Sequence, residues 1–282
     1  MKAKYSILFL LTILVSIGAK AQDFITVAEL SKKLNDKNTI IVSARSSSEY
    51  KQVHIRNAVS LPVSELSNDT PVKGILKSPE ELAKIFGDKG IAMDKDIVLY
   101  CNKGNSAGRM YWIMKYMGYP NVKILDGSIG AWKEGRKPVT RAPKMLPKVV
   151  VKPNLNPELL VAKADVIKAK GQANTVVVDA RIPNLFAGTD PTSKGHIPGA
   201  INVDSEELKD DKGILKSADE LGKLYASKGV TKDKEVILYC QTSTRAGLEF
   251  AVLTSVLNYP NVKVYDGAYN EWSADSGLKL EN

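Results

Sequence analysis

The chain has only two cysteines and two histidines among its 282 residues. Two cysteines cannot build the disulfide framework of a small secreted domain. Two histidines so far apart, His54 and His196, cannot make a normal zinc site alone. The remaining composition, 44% hydrophobic and 25% charged with 20 Gly and 13 Pro, is typical of a globular protein and excludes collagen-like, coiled-coil and disordered chains.

Only one stretch is apolar enough to be considered for membrane insertion, and it lies at the N-terminus. It runs from about residue 7 to residue 17, behind Lys2 and Lys4 and before Ala19-Lys20-Ala21. The run is shorter than the ~20 residues of a spanning helix, and the A-x-A step suits signal peptidase. No cysteine follows that would carry a lipid. We predict a signal peptide at residues 1–21 and an exported protein, periplasmic or secreted, with no stable membrane insertion after its removal.

The net charge is +9, and loss of Lys2, Lys4 and Lys20 leaves +6. A modest positive field favours small anions. The sequence has no basic stripe interleaved with aromatic residues, and an exported protein rarely meets DNA. We therefore expect a small anionic partner and no nucleic acid.

The sequence repeats itself. Residues 74–101 match residues 213–240 at 15 of 28 positions without a gap, an offset of 139. YPNVK at residues 119–123 recurs at residues 259–263, now at an offset of 140. Two copies indicate a duplicated domain and not a solenoid.

A proline-rich segment separates the copies. Residues 138–157 hold five of the 13 prolines with several lysines and no helical periodicity, which predicts an extended, fairly stiff linker. We place the linker at residues 141–157, domain 1 at residues 22–140 and domain 2 at residues 158–282. The stiffness favours a fixed packing of one domain on the other.

Each copy alternates short β-branched runs with amphipathic helical runs, which indicates an α/β fold with a parallel sheet flanked by helices. The predicted strands are residues 39–42, 97–100 and 122–125 in copy one, and residues 175–178, 235–239 and 262–265 in copy two. Capping boxes predict helix starts at Thr26, Ser78 and Ser217. Met110, Ile113, Met114 and Met117 follow a helical spacing that indicates core packing.

The two cysteines, Cys101 and Cys240, occupy the same place in both copies. Each follows a predicted buried strand and precedes a loop of small residues and a helix. Loop amides and a helix N-terminus form a positively polarised nest that stabilises a thiolate, the nucleophilic form of a thiol. The alternatives are a disulfide and two inert buried thiols. A disulfide needs Cα atoms within ~7 Å, which is disfavoured for equivalent points of separate domains.

Copy two carries five motifs in order: VDAR at residues 178–181, Phe186-x-Gly188, GHIPGAIN at residues 195–202, CQTSTRA at residues 240–246 and VYDGAYNEW at residues 264–272. Copy one carries AR at residues 44–45, HIRNA at residues 54–58, CNKGNSA at residues 101–107 and DGSIGAW at residues 126–132. On these motifs nearly all of the chain after residue 21 resembles a tandem-domain rhodanese, a sulfurtransferase of the thiosulfate and 3-mercaptopyruvate type. The resemblance implies two rhodanese-like domains.

It also implies a persulfide cycle: a cysteine thiolate takes the sulfane sulfur of thiosulfate or 3-mercaptopyruvate and passes it to a thiophilic acceptor such as a thiol or cyanide. The loop from Cys240 through Ser243 and Thr244 to Arg245 would surround the persulfide with N–H groups. Arg245 would orient an anionic donor, and Lys103 is the corresponding cation of copy one. No metal and no organic cofactor is implied. Asp179 and Arg181 are expected to pair behind the loop.

The length of the cysteine loop distinguishes sulfur transfer from the related chemistry of phosphatases. Phosphatase and arsenate-reductase relatives of this fold use a C-x5-R loop for a tetrahedral oxyanion, whereas Cys240 to Arg245 is C-x4-R, which favours sulfur. Copy one has no arginine at either distance.

Both copies depart from the family pattern. Ser243 stands where a loop glycine is expected, Leu185 where thiosulfate-type enzymes place a basic residue, and Ser43 where copy two has Asp179. We rank Cys240 before Cys101 because copy two retains more motifs. Three functions stay open: a sulfurtransferase, a sulfur carrier or binding module that delivers persulfide to a partner protein, and, least favoured, a phosphatase. The two histidines are expected to fix loops, and Asp126 and Asp266 to pin the last strands and wall the pocket.

Overall fold

The computed structural model describes residues 23–282. The predicted signal peptide at residues 1–21 lies outside these residues. Within residues 23–282, no helix has the length and apolar character required to cross a bilayer.

Domain 1 is a five-stranded parallel sheet flanked by helices. The strand order is β1-β6-β5-β2-β4, and a separate antiparallel pair joins β3 to β7. The elements in chain order are β1 (Phe24–Ile25), α1 (Val27–Lys33), β2 (Thr39–Ser43), α2 (Ser47–Gln52), β3 (His54–Ile55), β4 (Val59–Ser60), α3 (Pro79–Asp88), β5 (Asp96–Tyr100), α4 (Asn105–Tyr116), β6 (Val122–Leu125), α5 (Ser128–Glu134) and β7 (Val139–Thr140).

Domain 2 repeats this plan. Its five parallel strands run in the order β10-β9-β11-β12-β8. The elements are β8 (Leu160–Val161), α6 (Lys163–Ala169), β9 (Thr175–Asp179), α7 (Pro183–Phe186), β10 (Ile201–Asn202), α8 (Ala218–Ser227), β11 (Glu235–Tyr239), α9 (Thr244–Ala251), β12 (Val262–Tyr265) and α10 (Ala268–Ala274). A π-helical turn at Val252–Val256 continues α9.

Both faces of each sheet are buried, which explains the nearly continuous apolar runs in the strands. In β2, Ile40 and Val42 join a core that extends through both domains, whereas Ile41 joins a second core on the opposite face of the sheet. The core shared by both domains includes the predicted stripe of Met110, Ile113, Met114 and Met117, so the prediction of core packing is confirmed. The domains are therefore joined by a continuous apolar interior.

The local predictions agree with the structure. All six predicted strands are present, with ends within one residue of those expected. The capping boxes at Thr26, Ser78 and Ser217 are formed, with each hydroxyl accepting a hydrogen bond from the backbone of the glutamate three residues later.

The proline-rich segment is extended and lies against domain 1. The N–H of Val149 donates to the carbonyl of Gly87 at 3.0 Å, and that of Asn156 donates to the carbonyl of Tyr116 at 2.8 Å. Val151 is buried in the shared core. These contacts hold the segment against domain 1, whereas its proline content predicted only an extended, fairly stiff chain.

Candidate active site

The two cysteines follow the central strands of the two sheets, Cys101 after β5 and Cys240 after β11. Each precedes a short loop and a helix, α4 or α9, as the sequence predicted. Both are buried and both are free, so the disulfide considered from the sequence is absent. In parallel sheets of this kind, ligands bind beyond the carboxyl ends of the strands, which is where both sulfur atoms lie.

Backbone amides approach each sulfur. The N–H of Gly104 donates to Cys101 Sγ at 3.1 Å, and the N–H of Arg245 donates to Cys240 Sγ at 3.3 Å. These amides belong to the loop in domain 1 and to the first turn of α9 in domain 2, where the helix dipole also favours negative charge. Either arrangement is suited to stabilise a thiolate or a persulfide anion.

The two loops have a positive φ at the same position but use different residues there. The third residue after each cysteine has a positive φ, +92° at Gly104 and +56° at Ser243. Glycine adopts such angles without a steric penalty, and serine does not. The Ser243 hydroxyl donates to the carbonyl of Tyr265 at 2.5 Å. This hydrogen bond holds serine in the conformation that the family pattern assigns to glycine.

Thr244 and Arg245 form the first turn of α9. The hydroxyls of Thr244 and Thr242 lie 3.1 Å apart. Arg245 Nε is buried and has no hydrogen-bond partner within residues 23–282. Burial raises the pKa of Asp204, and the positive charge of Arg245 opposes that rise. Arg245 thus places a positive charge at the end of the loop, and its Nε is a hydrogen-bond donor without an acceptor among the described residues.

Asp179 and Arg181 form the expected pair. Arg181 Nη2 donates to Asp179 Oδ2 at 2.6 Å, and both side chains are fully buried. Asp179 is paired in register with Tyr239, the residue before Cys240. The Arg181 guanidinium also lies 3.9 Å from the centre of the Tyr269 ring. The pair therefore fixes the sheet beneath the Cys240 loop.

A cleft of about 310 Å³ opens onto Cys101. Its lining includes Arg45 and Lys103, both cationic, and Glu49. Lys103 is exposed and follows the cysteine by two residues. This cleft brings two of the predicted site residues, Cys101 and Lys103, together in domain 1.

Glu49 contacts the Cys101 loop; a short helix at Glu49 and Tyr50 near this loop is expected from the sequence, without a role for either residue. Asn102 donates to Glu49 Oε1 at 2.5 Å and accepts from Arg45 Nε at 2.7 Å. A hydrogen bond from Ser46 is the main reason that the pKa of Glu49 lies below its usual value. The S-x-x-E capping pattern at residues 46–49 predicts this helix start, but no pattern predicts the hydrogen bond between Glu49 and Asn102.

Asp126 and Asp266 connect the domains, which differs from the strand-pinning role expected of them. Asp126 Oδ1 accepts from the N–H of Leu215 at 3.0 Å, and Asp266 Oδ2 accepts from the N–H of Leu76 at 2.8 Å. Burial raises the pKa of both carboxyls. The duplicated GILKS segment of each domain is thus hydrogen-bonded to the aspartate that follows the last strand of the other.

The histidines hold loops, as expected. His54 Nδ1 lies 2.7 Å from the carbonyl oxygen of Tyr50, and its ring stacks on the Tyr50 ring at 3.7 Å. His196 lies 3.0 Å from the carbonyl oxygen of Phe186 and stacks on the Phe186 ring.

Comparison with known proteins agrees with the geometry. The model of the Rhodanese-like domain matches residues 26–135 and 162–275. A 3-mercaptopyruvate sulfurtransferase of Escherichia coli (strain K12) is 33% identical over 270 residues, covering 89% of this chain and 95% of the relative. Sulfur carrier protein TtuD of Thermus thermophilus is 34% identical over 226 residues, covering 74% and 79%.

A solved structure is also similar. The crystal structure of a 3-mercaptopyruvate sulfotransferase from Escherichia coli superposes with a TM-score of 0.79 at 32% identity. The match covers 88% of this chain and 99% of that chain. The similarity therefore extends over both domains and the segment between them.

Proposed function

The chain belongs to the rhodanese-like domain family, and we propose that it transfers a sulfane sulfur through a persulfide on Cys240, with Cys101 as a second site. It is a sulfurtransferase of the rhodanese type. The proposed donors are thiosulfate and 3-mercaptopyruvate, and the acceptor is a thiol or cyanide. We also propose export after removal of residues 1–21, with the domain boundaries predicted from the sequence.

One observation carries the proposal for Cys240. Its sulfur lies at the end of the central strand, accepts an N–H from the first turn of α9, and belongs to a loop that ends in Arg245. The amide supports a negative sulfur, and the positive charge of Arg245 at the end of the loop favours an anionic donor. The loop has four residues between cysteine and arginine, one fewer than the oxyanion loop of phosphatases.

The proposed chemistry balances without a cofactor. The Cys240 thiolate attacks the outer sulfur of thiosulfate; the S–S bond of the donor breaks, its electron pair leaves with sulfite, and Cys240 becomes a persulfide anion. With 3-mercaptopyruvate, the C–S bond breaks and the thiol proton ends on carbon, which gives pyruvate. An acceptor thiolate or cyanide then attacks the outer sulfur and restores the Cys240 thiolate.

The proposal for Cys101 depends on its cleft. Arg45 and Lys103 line the cleft, and cations at a cleft of this size favour small anions. Cys101 accepts its own amide N–H from Gly104. These features support the binding of a donor at domain 1 as well as at domain 2.

A sulfur carrier is the second candidate, favoured by the relative named a sulfur carrier protein. In that function the persulfide is delivered to a partner protein. Loading by thiosulfate without turnover to cyanide or dithiothreitol distinguishes the carrier from the enzyme.

The test is persulfide formation in the protein and in its Cys240→Ser and Cys101→Ser variants, read by mass spectrometry after treatment with thiosulfate or with 3-mercaptopyruvate. We expect Cys240→Ser to lose most of the turnover and Cys101→Ser to lose a smaller share. Full loading and turnover in Cys240→Ser would contradict the assignment of Cys240. Comparing the two donors shows which one each cysteine accepts.

A further inference from the structure

The same atom of each cysteine loop is held by a cation from the other domain. The carbonyl of the second residue after Cys240, Thr242, accepts from Arg109 of domain 1. The carbonyl of the second residue after Cys101, Lys103, accepts from Lys209 Nζ of domain 2 at 3.0 Å. Each contact joins a side chain of one domain to the cysteine loop of the other and so forms only when the two domains pack together.

Arg109 is buried in α4 at the domain interface. Its guanidinium donates from Nη1 to the carbonyl of Thr242 and from Nη2 to the carbonyl of Gly74. Nη2 also lies 3.5 Å from Asp266 Oδ1. Burial lowers the pKa of Arg109, and the charges of Asp266 and of an ionised Cys240 oppose that change. The hydrogen bond to Thr242 therefore places the guanidinium against the Cys240 loop.

Lys209 follows the short helical turn Ser205–Leu208 of domain 2, and its side chain is 5% exposed. Besides the Lys103 carbonyl, its Nζ contacts Glu206 Oε1 at 3.1 Å. Glu206 also accepts from Asn105 at 3.3 Å. Domain 2 thus contacts the Cys101 loop through both a cation and a carboxylate.

The two cations are not copies of one ancestral residue. At the offset of 139, the counterpart of Arg109 is Leu248, which packs against Gly104 of the Cys101 loop. Lys209 comes from the segment after β10 and not from a helix that follows a cysteine. Two different positions therefore supply the same contact to the two loops.

A hydrogen bond to a backbone carbonyl also fixes the orientation of the N–H in the same peptide unit. In a trans peptide the C=O and the following N–H point in opposite directions. Lys209 holds the Lys103 carbonyl, and the N–H of that peptide, from Gly104, donates to Cys101 Sγ. A cation at the carbonyl also polarises the amide and strengthens its N–H as a donor. The charge of Lys209 thus acts on the sulfur through one peptide unit.

We propose that Arg109 and Lys209 are positioning residues that act on the cysteine loops across the domain interface. Lys209 holds the peptide whose N–H donates to Cys101 Sγ, and Arg109 anchors the Cys240 loop at the Thr242 carbonyl, three residues before the N–H that donates to Cys240 Sγ. Their catalytic importance rests on the proposed persulfide function. Their effect on each thiolate does not, because it can be measured without a sulfur donor. Each domain then needs the other for a fully organised sulfur site.

The test uses iodoacetamide alkylation of the full chain, with the cysteine peptides quantified separately by mass spectrometry. For each cysteine, the rate at about pH 7 is divided by the rate at about pH 9.5, on either side of the ordinary thiol range. The quotient reports the thiolate fraction and cancels accessibility. We expect Arg109→Leu to lower the quotient about three- to tenfold at Cys240 only, and Lys209→Met to do so at Cys101 only.

The other cysteine is the internal control in each variant. A general loosening of the interface would lower both quotients in both variants, and that result, or no change in either, would overturn the proposal. If Arg109→Leu does not fold, Arg109→Lys tests the proposal instead. Lysine keeps the positive charge but cannot donate to the Thr242 and Gly74 carbonyls at the same time through two guanidinium nitrogens. Arg109→Lys should lower the alkylation quotient of Cys240 by less than Arg109→Leu does and leave the quotient of Cys101 unchanged. An equal change in both quotients, or no change in either, would overturn the proposal.

Turnover separates this proposal from the proposed function. If Cys240 carries the reaction, Arg109→Leu should lower kcat for thiosulfate with less effect on KM. If Cys240→Ser keeps full turnover, the persulfide assignment fails, while the alkylation quotients still decide whether the cations organise the two loops.

Discussion

Gly108 and Gly247 touch where α4 crosses α9 at the domain interface. A methyl group on Gly108 would lie 2.5 Å from the backbone of Leu248, and one on Gly247 would lie 2.5 Å from the backbone of Arg109. The two glycines occupy equivalent positions in the repeats, at an offset of 139. The approach of these helices therefore depends on the absence of side chains at both positions, and it places Arg109 beside the Cys240 loop.

Gly108→Ala should destabilise the protein because the methyl group meets backbone that cannot rotate away. We expect a loss of about 1–3 kcal/mol in the free energy of unfolding, measured by urea denaturation. Gly130→Ala is the matched control, since this glycine lies in α5 with nothing within 4 Å of the added carbon. It should be neutral or slightly stabilising. Equal losses in the two variants would contradict the close crossing.

The fold within each domain could be predicted because its signals are local. The β-branched runs specified the six strands, and the serine or threonine and glutamate pairs specified the starts of α1, α3 and α8. The repeat offset then placed Cys101 and Cys240 at equivalent strand ends. Such features depend on short stretches of chain and on burial of both sheet faces, both of which leave a pattern in the sequence.

The contacts between domains could not be predicted because they depend on how two separately folded units pack. Asp266 was expected to pin its own strand, and it instead binds the backbone of Leu76, 190 residues away. No motif predicts a role for Arg109, which lies eight residues after Cys101 and so outside the cysteine loop. Its guanidinium nevertheless contacts the Cys240 loop, and no spacing along the chain encodes that contact.

Ser243→Ala should be less stable than Ser243→Gly. Alanine loses the hydrogen bond to Tyr265 and keeps a β-carbon at a positive φ, whereas glycine loses the bond and relieves the backbone. The lost hydrogen bond corresponds to about 1–2 kcal/mol, and glycine recovers about 1 kcal/mol of it. Thermal unfolding of the two variants beside wild type tests this order. An alanine variant as stable as wild type would show that the hydroxyl does not hold the loop.

Asp179→Asn should cause a large loss of stability because it leaves the Arg181 charge buried without its partner. Removal of one member of a buried pair costs about 3–5 kcal/mol, read as a lower urea midpoint. Asp88→Asn is a control with the same chemistry at the surface, where Asp88 contacts the exposed Lys84 and Lys148. Its effect should be much smaller because solvent screens such pairs. Comparable losses would mean that the Asp179 pair is not desolvated.

Glu249 is buried in α9 at the position where domain 1 has Met110. Neither carboxylate oxygen makes a hydrogen bond of normal geometry within residues 23–282, although the nearby Tyr225 hydroxyl partly stabilises the ionised form. Burial raises the pKa of Glu249 well above 4.5, and the nearby negative charges of Asp179 and Asp204 raise it further. The folded protein therefore holds this side chain in its neutral form at a pH where the unfolded chain ionises it.

Glu249→Met should stabilise the protein, and by more as the pH rises. A carboxyl whose pKa is raised by folding favours the folded state most below its unfolded pKa of about 4.5, and this advantage is lost as the pH rises toward the folded value. The stability gap between variant and wild type should therefore widen above about pH 5, by up to about 1.4 kcal/mol per pH unit. Urea unfolding at several pH values measures the gap. Glu220→Gln is the control of opposite sign, because hydrogen bonds from Ser217 lower the pKa of Glu220, so its gap from wild type should narrow as the pH falls. A Glu249→Met gap that stays constant from about pH 5 to about pH 8 would mean that Glu249 is already ionised in the folded protein.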